Sequence, residues 1–109
     1  MNFKYCKLEI FIPETHFKQL QQALIEVDAG HIGKYDACLS YSPVIGTWRP
    51  LEGTNPYKGE KNKISEEKEL KVEVTCKTEK VDETIIAIKK VHPYEEPVIN
   101  VIPLLKVGI

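Results

Sequence analysis

Residues Leu70–Leu105, LKVEVTCKTEKVDETIIAIKKVHPYEEPVINVIPLL, change their hydrophobic period twice. Leu70, Val72, Val74 and Cys76 alternate with charged or hydroxyl residues, the period-two pattern of a strand with one buried face. Val81, Ile85, Ile88 and Val91 then recur at spacings of 4, 3 and 3, one stripe of a helix that Thr78 is placed to cap. Proline disfavours the helical conformation in the residue before it, so Pro93 ends this helix near Val91 and leaves His92 extended. The segment VINVIPLL, apolar on both faces, reads as a final strand. This half of the chain is therefore strand, helix, strand.

The other half repeats the order. FKYCKLEIFI alternates, with Cys6, Leu8, Ile10 and Ile12 on one face and Phe3, Tyr5 and Phe11 on the other. Pro13 suits a helix start, Phe17, Leu20, Leu24 and Val27 form a helical stripe, and Gly30 supplies the stop. A second strand is expected in KYDACLSYS, followed by a long hairpin-like excursion, PVIGTWRPLEGTNPYKGEKNKISEEKE, with a solvated tip. The sum is an α+β domain spanning 1–109, a ferredoxin-like β-α-β-β-α-β sandwich with two helices over one face of a four-stranded antiparallel sheet.

With 109 residues the chain suffices for one two-layer core. A formal charge of −1 offers no general attraction to nucleic acid or an anionic membrane, and no apolar run approaches the roughly 20 residues that span a bilayer. Cys6, Cys38 and Cys76 are odd in number and far apart, which points to reduced thiols and a cytoplasmic setting. The last strand exposes Val98, Ile102 and Leu104 on one face and Ile99, Val101 and Leu105 on the other. An uncovered edge of that kind invites aggregation, so a homo-oligomer is expected.

Chemistry-bearing residues concentrate in three places. HPYEEP holds His92, Tyr94, Glu95 and Glu96 between helix and strand. His92 reads either as a helix-end residue bonded to a carbonyl or as a ligand-site residue. Along an extended segment the α-carbons of His92 and Glu96 stand roughly 13 Å apart, so they do not readily chelate one metal. The only other histidines are His16, on the exposed side of the first helix, and His31, so neither a metal site nor a cofactor is expected. In AGHIGKYDACLSYS, Gly30 and Gly33 flank His31 and lie near Tyr35, but they follow a helix rather than open one, which is a cap and turn rather than a phosphate cradle. Trp48, the only tryptophan, sits in GTWRP as an anchor for the excursion or a contact between subunits. No nucleophile–base spacing indicates catalysis.

DAGHIGKYDACLSYS, GTWRPLEGTNPYKGE and HPYEEPVINVIPLL together resemble the domain inserted in bacterial NIF-three-like proteins, the family named for an NGG-one-interacting factor, over about 12–105. HPYEEP and the strand after it are also similar to the end of CutA, the divalent-cation-tolerance protein. The resemblance implies a PII/CutA-like fold, assembly as a homotrimer, and ligands held at subunit clefts. The two halves that carry the two-metal site of NIF-three-like proteins have no counterpart here, so neither that site nor hydrolase activity is carried over. The expectation is a non-enzymatic, self-associating module that binds a small ligand, metal ion or protein partner. His92, Tyr94 and Glu95 are its candidate surface, with His31, Tyr35 and Trp48 as neighbours across a cleft. A divalent metal-binding protein of the CutA kind is the alternative, and a small hydrolase the third reading.

Overall fold

The computed structural model describes residues 2–108. Its elements are β1 (Tyr5–Ile12), a 3-10 turn at Glu14–His16, α1 (Phe17–Glu26), β2 (Ser40–Trp48), β3 (Ser65–Lys77), a second 3-10 turn at Thr78–Lys80, α2 (Val81–Val91) and β4 (Ile99–Leu104). The strands form one antiparallel sheet in the order β2-β3-β1-β4, the ferredoxin-like arrangement expected from the sequence. Both helices cover the same face. There Leu8, Ile10 and Ile12 of β1 and Val72 and Val74 of β3 meet Leu20 and Leu24 of α1 and Ile88 of α2, all essentially sealed from solvent.

Cross-strand register explains why the core is so regular. Leu8 pairs with Val74, and Ile10 with Val72, so each inward β1 residue finds an apolar neighbour on the central strand. The opposite, helix-free face is charged at its centre, where Lys7 pairs with Glu73 at 2.9 Å and Lys71 reaches Glu9 at 3.3 Å. The bond to Glu73 raises the Lys7 pKa and lowers that of Glu73. Tyr5 and Phe11 flank this network, and Ile102 of edge strand β4 lies directly across from Lys7.

The structure corrects five local expectations. The second strand occupies Ser40–Trp48 rather than KYDACLSYS, because residues 28–38 form a turn-rich loop tied by Gly30 N–H to the Thr75 carbonyl (2.9 Å). Gly30 has φ +79°, and a Cβ there would come within 3.1 Å of the Cys38 nitrogen, so the glycine is needed for the return path. Pro43 is tolerated inside β2 because this is an edge strand. The excursion is shorter than expected, since β3 begins at Ser65 and takes up the charged run SEEKE. The Thr78 side chain does not cap α2; its hydroxyl lies 3.2 Å from Cys6 Sγ. The sealed line of α2 runs through Thr84 and Ile88, with Val81, Ile85 and Val91 only half-buried, and the Thr84 hydroxyl satisfies itself on the Lys80 carbonyl at 2.7 Å. His16 is likewise half-buried, edge-on to Tyr57 with ring centroids 5.9 Å apart.

Candidate functional site

Where α2 hands over to β4, the backbone turns out of the helix at His92, whose φ of −77° and ψ of 130° are extended as Pro93 requires. His92 is buried, and both ring nitrogens are engaged. Nε2–H donates to the Phe11 carbonyl on β1 at 2.6 Å, and Nδ1 accepts the Tyr94 N–H at 3.2 Å. That pairing defines a neutral imidazole, and burial pushes its pKa below the ordinary 6.5. Within this geometry His92 acts as a strut that fixes where Tyr94 emerges.

Tyr94 projects from the strut over the helix-free face, where its hydroxyl donates to Glu69 Oε2 at 2.7 Å. Glu69 is a buried carboxylate, 6% exposed, in the first half of β3. It finds room because its cross-strand region on β2 contains Gly46: a Cβ at Gly46 would lie within 2.6 Å of Glu69 Cδ. Burial, followed by the Glu69 bond and charge, drives the Tyr94 pKa well above that of an ordinary phenol, so Tyr94 remains a hydroxyl donor.

Two further rings complete the enclosure. Trp48, at the end of β2, lies 5.6 Å from the Tyr94 ring, and Tyr57, from the loop between β2 and β3, lies 5.9 Å from it. The loop is held in place by Trp48 Nε1–H to the Lys58 carbonyl (3.3 Å) and by Asn55 N–H to Glu95 Oε2 (3.0 Å). Glu95 thus clamps the loop, while Glu96 lines the rim. The result is a cleft of about 440 Å³ with aromatic walls and the Glu69 carboxylate in its lining, a size typical of small-molecule sites.

The residues singled out from sequence therefore separate into two groups. Trp48, His92, Tyr94 and Glu95 converge on the cleft or its support. His31 and Tyr35 belong to the loop beside Thr75, six residues further along β3 than Glu69, which is roughly 20 Å at strand rise. There His31 is exposed and lies between two acceptors, Asp28 Oδ1 at 2.8 Å and the Gly33 carbonyl at 2.9 Å. Only a doubly protonated ring serves both, and the bond to Asp28 raises the His31 pKa and lowers that of Asp28. Tyr35 is 75% exposed. Sequence reasoning missed Glu69, Tyr57 and Gly46. Glu69 stands in a run of charges that resembles any solvated face, and only strand pairing sets it opposite Val44, with its carboxylate over the diagonal Gly46 and under a tyrosine.

A four-stranded ferredoxin-like sheet with a ligand-sized cleft at one end defines a module of the PII/CutA class. Solved structures agree: CutA from Archaeoglobus fulgidus, described as a periplasmic divalent cation tolerance protein, superposes with a TM-score of 0.71 at 23% identity over 94% of this chain and 86% of that one. CutA1 from Shewanella sp. SIB1 superposes with a TM-score of 0.74 at 16% identity over 98% and 87%. The CutA1 divalent ion tolerance protein family matches residues 54–108, and the chain belongs to it. A Bacillus cereus protein related to NIF3 contains the same unit, with a TM-score of 0.83 and 31% identity over 95% of this chain but 26% of that one. The GTP cyclohydrolase 1 type 2 homolog of Halalkalibacterium halodurans is 40% identical over 94% of this chain, and that of Bacillus subtilis 35% identical over 90%. The chain spans about a quarter of the length of these curated relatives (27% and 26%). Among the described residues no helix is long and apolar enough to cross a membrane.

The family's name raises the question of a divalent ion, and the donors answer it. Among the described residues no group of three His, Cys, Asp or Glu side chains is arranged to hold a metal. His92 has no free nitrogen, and of Glu95 one oxygen, Oε2, already accepts the Asn55 N–H. The cleft of one chain does not fit a divalent cation.

Proposed function

We propose that this chain is a non-enzymatic, self-associating CutA-like module, a homotrimer in a reducing cytoplasmic setting, that holds a small ligand in the cleft between Trp48, Tyr57 and Tyr94. The observation that carries the ligand reading is the buried Glu69 carboxylate in an aromatic-walled cleft of about 440 Å³. Burying a carboxylate costs free energy that packing alone does not return, so such a group is better explained by binding than by stability. Self-association is supported by edge strand β4, where Val101 and Ile102 are 39% and 36% exposed and Leu105, just beyond, is 82% exposed. The reducing setting is supported by three unpaired cysteines.

The non-enzymatic reading rests on how the reactive groups are used. Cys6 and Cys76 are sealed in the sheet, His92 is committed at both nitrogens, and His31 is held in an exposed ion pair. None of these is a nucleophile beside a free base. Native mass spectrometry of protein purified without chelator tests the proposal, because subunit number and retained small molecule are read together. A trimer with added non-protein mass is the expected result. A monomer at micromolar concentration overturns the assembly, and a trimer that neither retains nor takes up any member of a small-molecule panel overturns the ligand reading.

A further inference from the structure

Resting on the reading of the cleft as a ligand site, we infer that its ligand is a small organic cation of the alkylammonium class, seated between the Trp48, Tyr57 and Tyr94 rings and the Glu69 carboxylate. Glu69 is 94% buried, yet only one of its oxygens is used: Oε2 accepts the Tyr94 hydroxyl, and Oε1 has no hydrogen-bond partner among the described residues. No sealed polar side-chain atom among those residues lacks a partner, so Oε1 opens on the cleft rather than on the protein interior. Glu69 also has no salt bridge there. An acceptor-only group that is almost wholly withdrawn from solvent and left half-satisfied is complementary to a cation or a donor.

The walls narrow the choice. Trp48 and Tyr57, with ring centroids 5.6 and 5.9 Å from that of Tyr94, line the cleft together with it and offer aromatic surface rather than a set of ligating atoms. Such a cage favours a soft, poorly hydrated cation, because the ring quadrupole attracts charge without replacing a tight water shell. A metal ion would need several hard donors converging on one point, and among the described residues no three His, Cys, Asp or Glu side chains converge in that way. The charges lining the cleft also lean negative, with Glu69, Glu95 and Glu96 against Arg49 and Lys58. Lys58 is directed to Glu67 at 3.9 Å, outside the cage. Tyr94 fixes the carboxylate in place, and Gly46 gives it the space to lie flat against β2.

Choline, its neutral isostere 3,3-dimethyl-1-butanol, and inorganic phosphate are titrated calorimetrically into the whole chain in its native assembly. The expected result is saturable choline binding, at least roughly tenfold weaker binding of the isostere, and none of phosphate. Glu69→Gln keeps an acceptor for Tyr94 while removing the charge, and Trp48→Leu removes one wall; each should weaken choline by roughly tenfold or more without weakening the isostere comparably. Equal affinity for choline and the isostere overturns the cation while leaving a ligand cleft, as does preference for phosphate. No response to choline up to millimolar concentrations, with other panel molecules bound, overturns it in the same way. If Glu69→Gln instead dissolves the assembly and choline never binds the wild type, the seat belongs to a side chain of a neighbouring copy and the free-ligand inference falls. The choline-to-isostere ratio is measured on wild type, so it stands even where a variant fails to fold.

Discussion

Replacing His92 with alanine removes a strut rather than a ligand contact, and its cost can be worked from the bonds it makes. The change leaves the Phe11 carbonyl and the Tyr94 N–H without their partners and empties the space of a ring packed 5.0 Å from Tyr94. An orphaned buried polar group costs about 1–3 kcal/mol, less where water enters. With two such groups beside a mouth that water can reach, the expected loss is about 2–4 kcal/mol, a large part of the ~5–15 kcal/mol that holds a domain together. For a chain of this length that corresponds to a fall in Tm of about 10–20 °C. Urea unfolding at one fixed protomer concentration checks it, the midpoint moving at constant slope. The pH dependence supplies an independent sign. Burial holds the folded His92 pKa below the unfolded 6.5, so between these two values the unfolded chain binds more protons. Stability from a neutral His92 is therefore complete above pH 6.5 and declines as pH falls toward the folded pKa, and His92→Ala should flatten that slope. An unchanged urea midpoint, or an acid slope as steep as in wild type, would refute the strut.

The two paired histidines should titrate in opposite directions from 6.5 in an NMR pH series, His31 above it and His92 below it; the reverse order would mean that their hydrogen bonds are misassigned. The contribution of His31 is present below pH 6.5 and lost as pH rises through its folded pKa, and it should weaken in high salt because the pair is exposed. Cys76, pushed up to about 11 by burial, and Cys6, sealed beside it, should react slowly with a thiol reagent at pH 8 in folded protein, while half-buried Cys38 labels first. Rapid labelling of Cys76 would contradict the register of β1 on β3. Gly46→Ala should displace Glu69 and abolish choline binding with little change in the urea midpoint, since what must move is the end of a flexible side chain; retained binding would separate Glu69 from the site. Ile102→Lys on the edge strand should turn the assembly into smaller species in sedimentation, and an unchanged mass would exclude that face as an interface.

The order of elements and the inward face of β1, β3 and α1 follow from sequence alone, because hydrophobic period is a local property that each segment carries by itself. The exit of α2 at His92 was legible for the same reason: Pro93 restricts its neighbour whatever surrounds it. Position along the sheet was not. Tyr41 and Ile45 of β2 are exposed, and the strand owes its place to nine cross-strand pairings with β3 rather than to its own pattern, so the second strand was expected six residues too early. The site lies further still from local rules. Tyr94 and Glu69 are 25 residues apart, and His92 and Phe11 are 81 apart. Sequence pointed to Trp48, His92, Tyr94 and Glu95 through residue type alone, without a basis for choosing strut from ligand contact. Only the folded sheet decided that, by giving both nitrogens of His92 a partner and leaving one oxygen of a buried Glu69 without one. Hydrogen-bond satisfaction is a property of the three-dimensional surroundings, and no single segment encodes it.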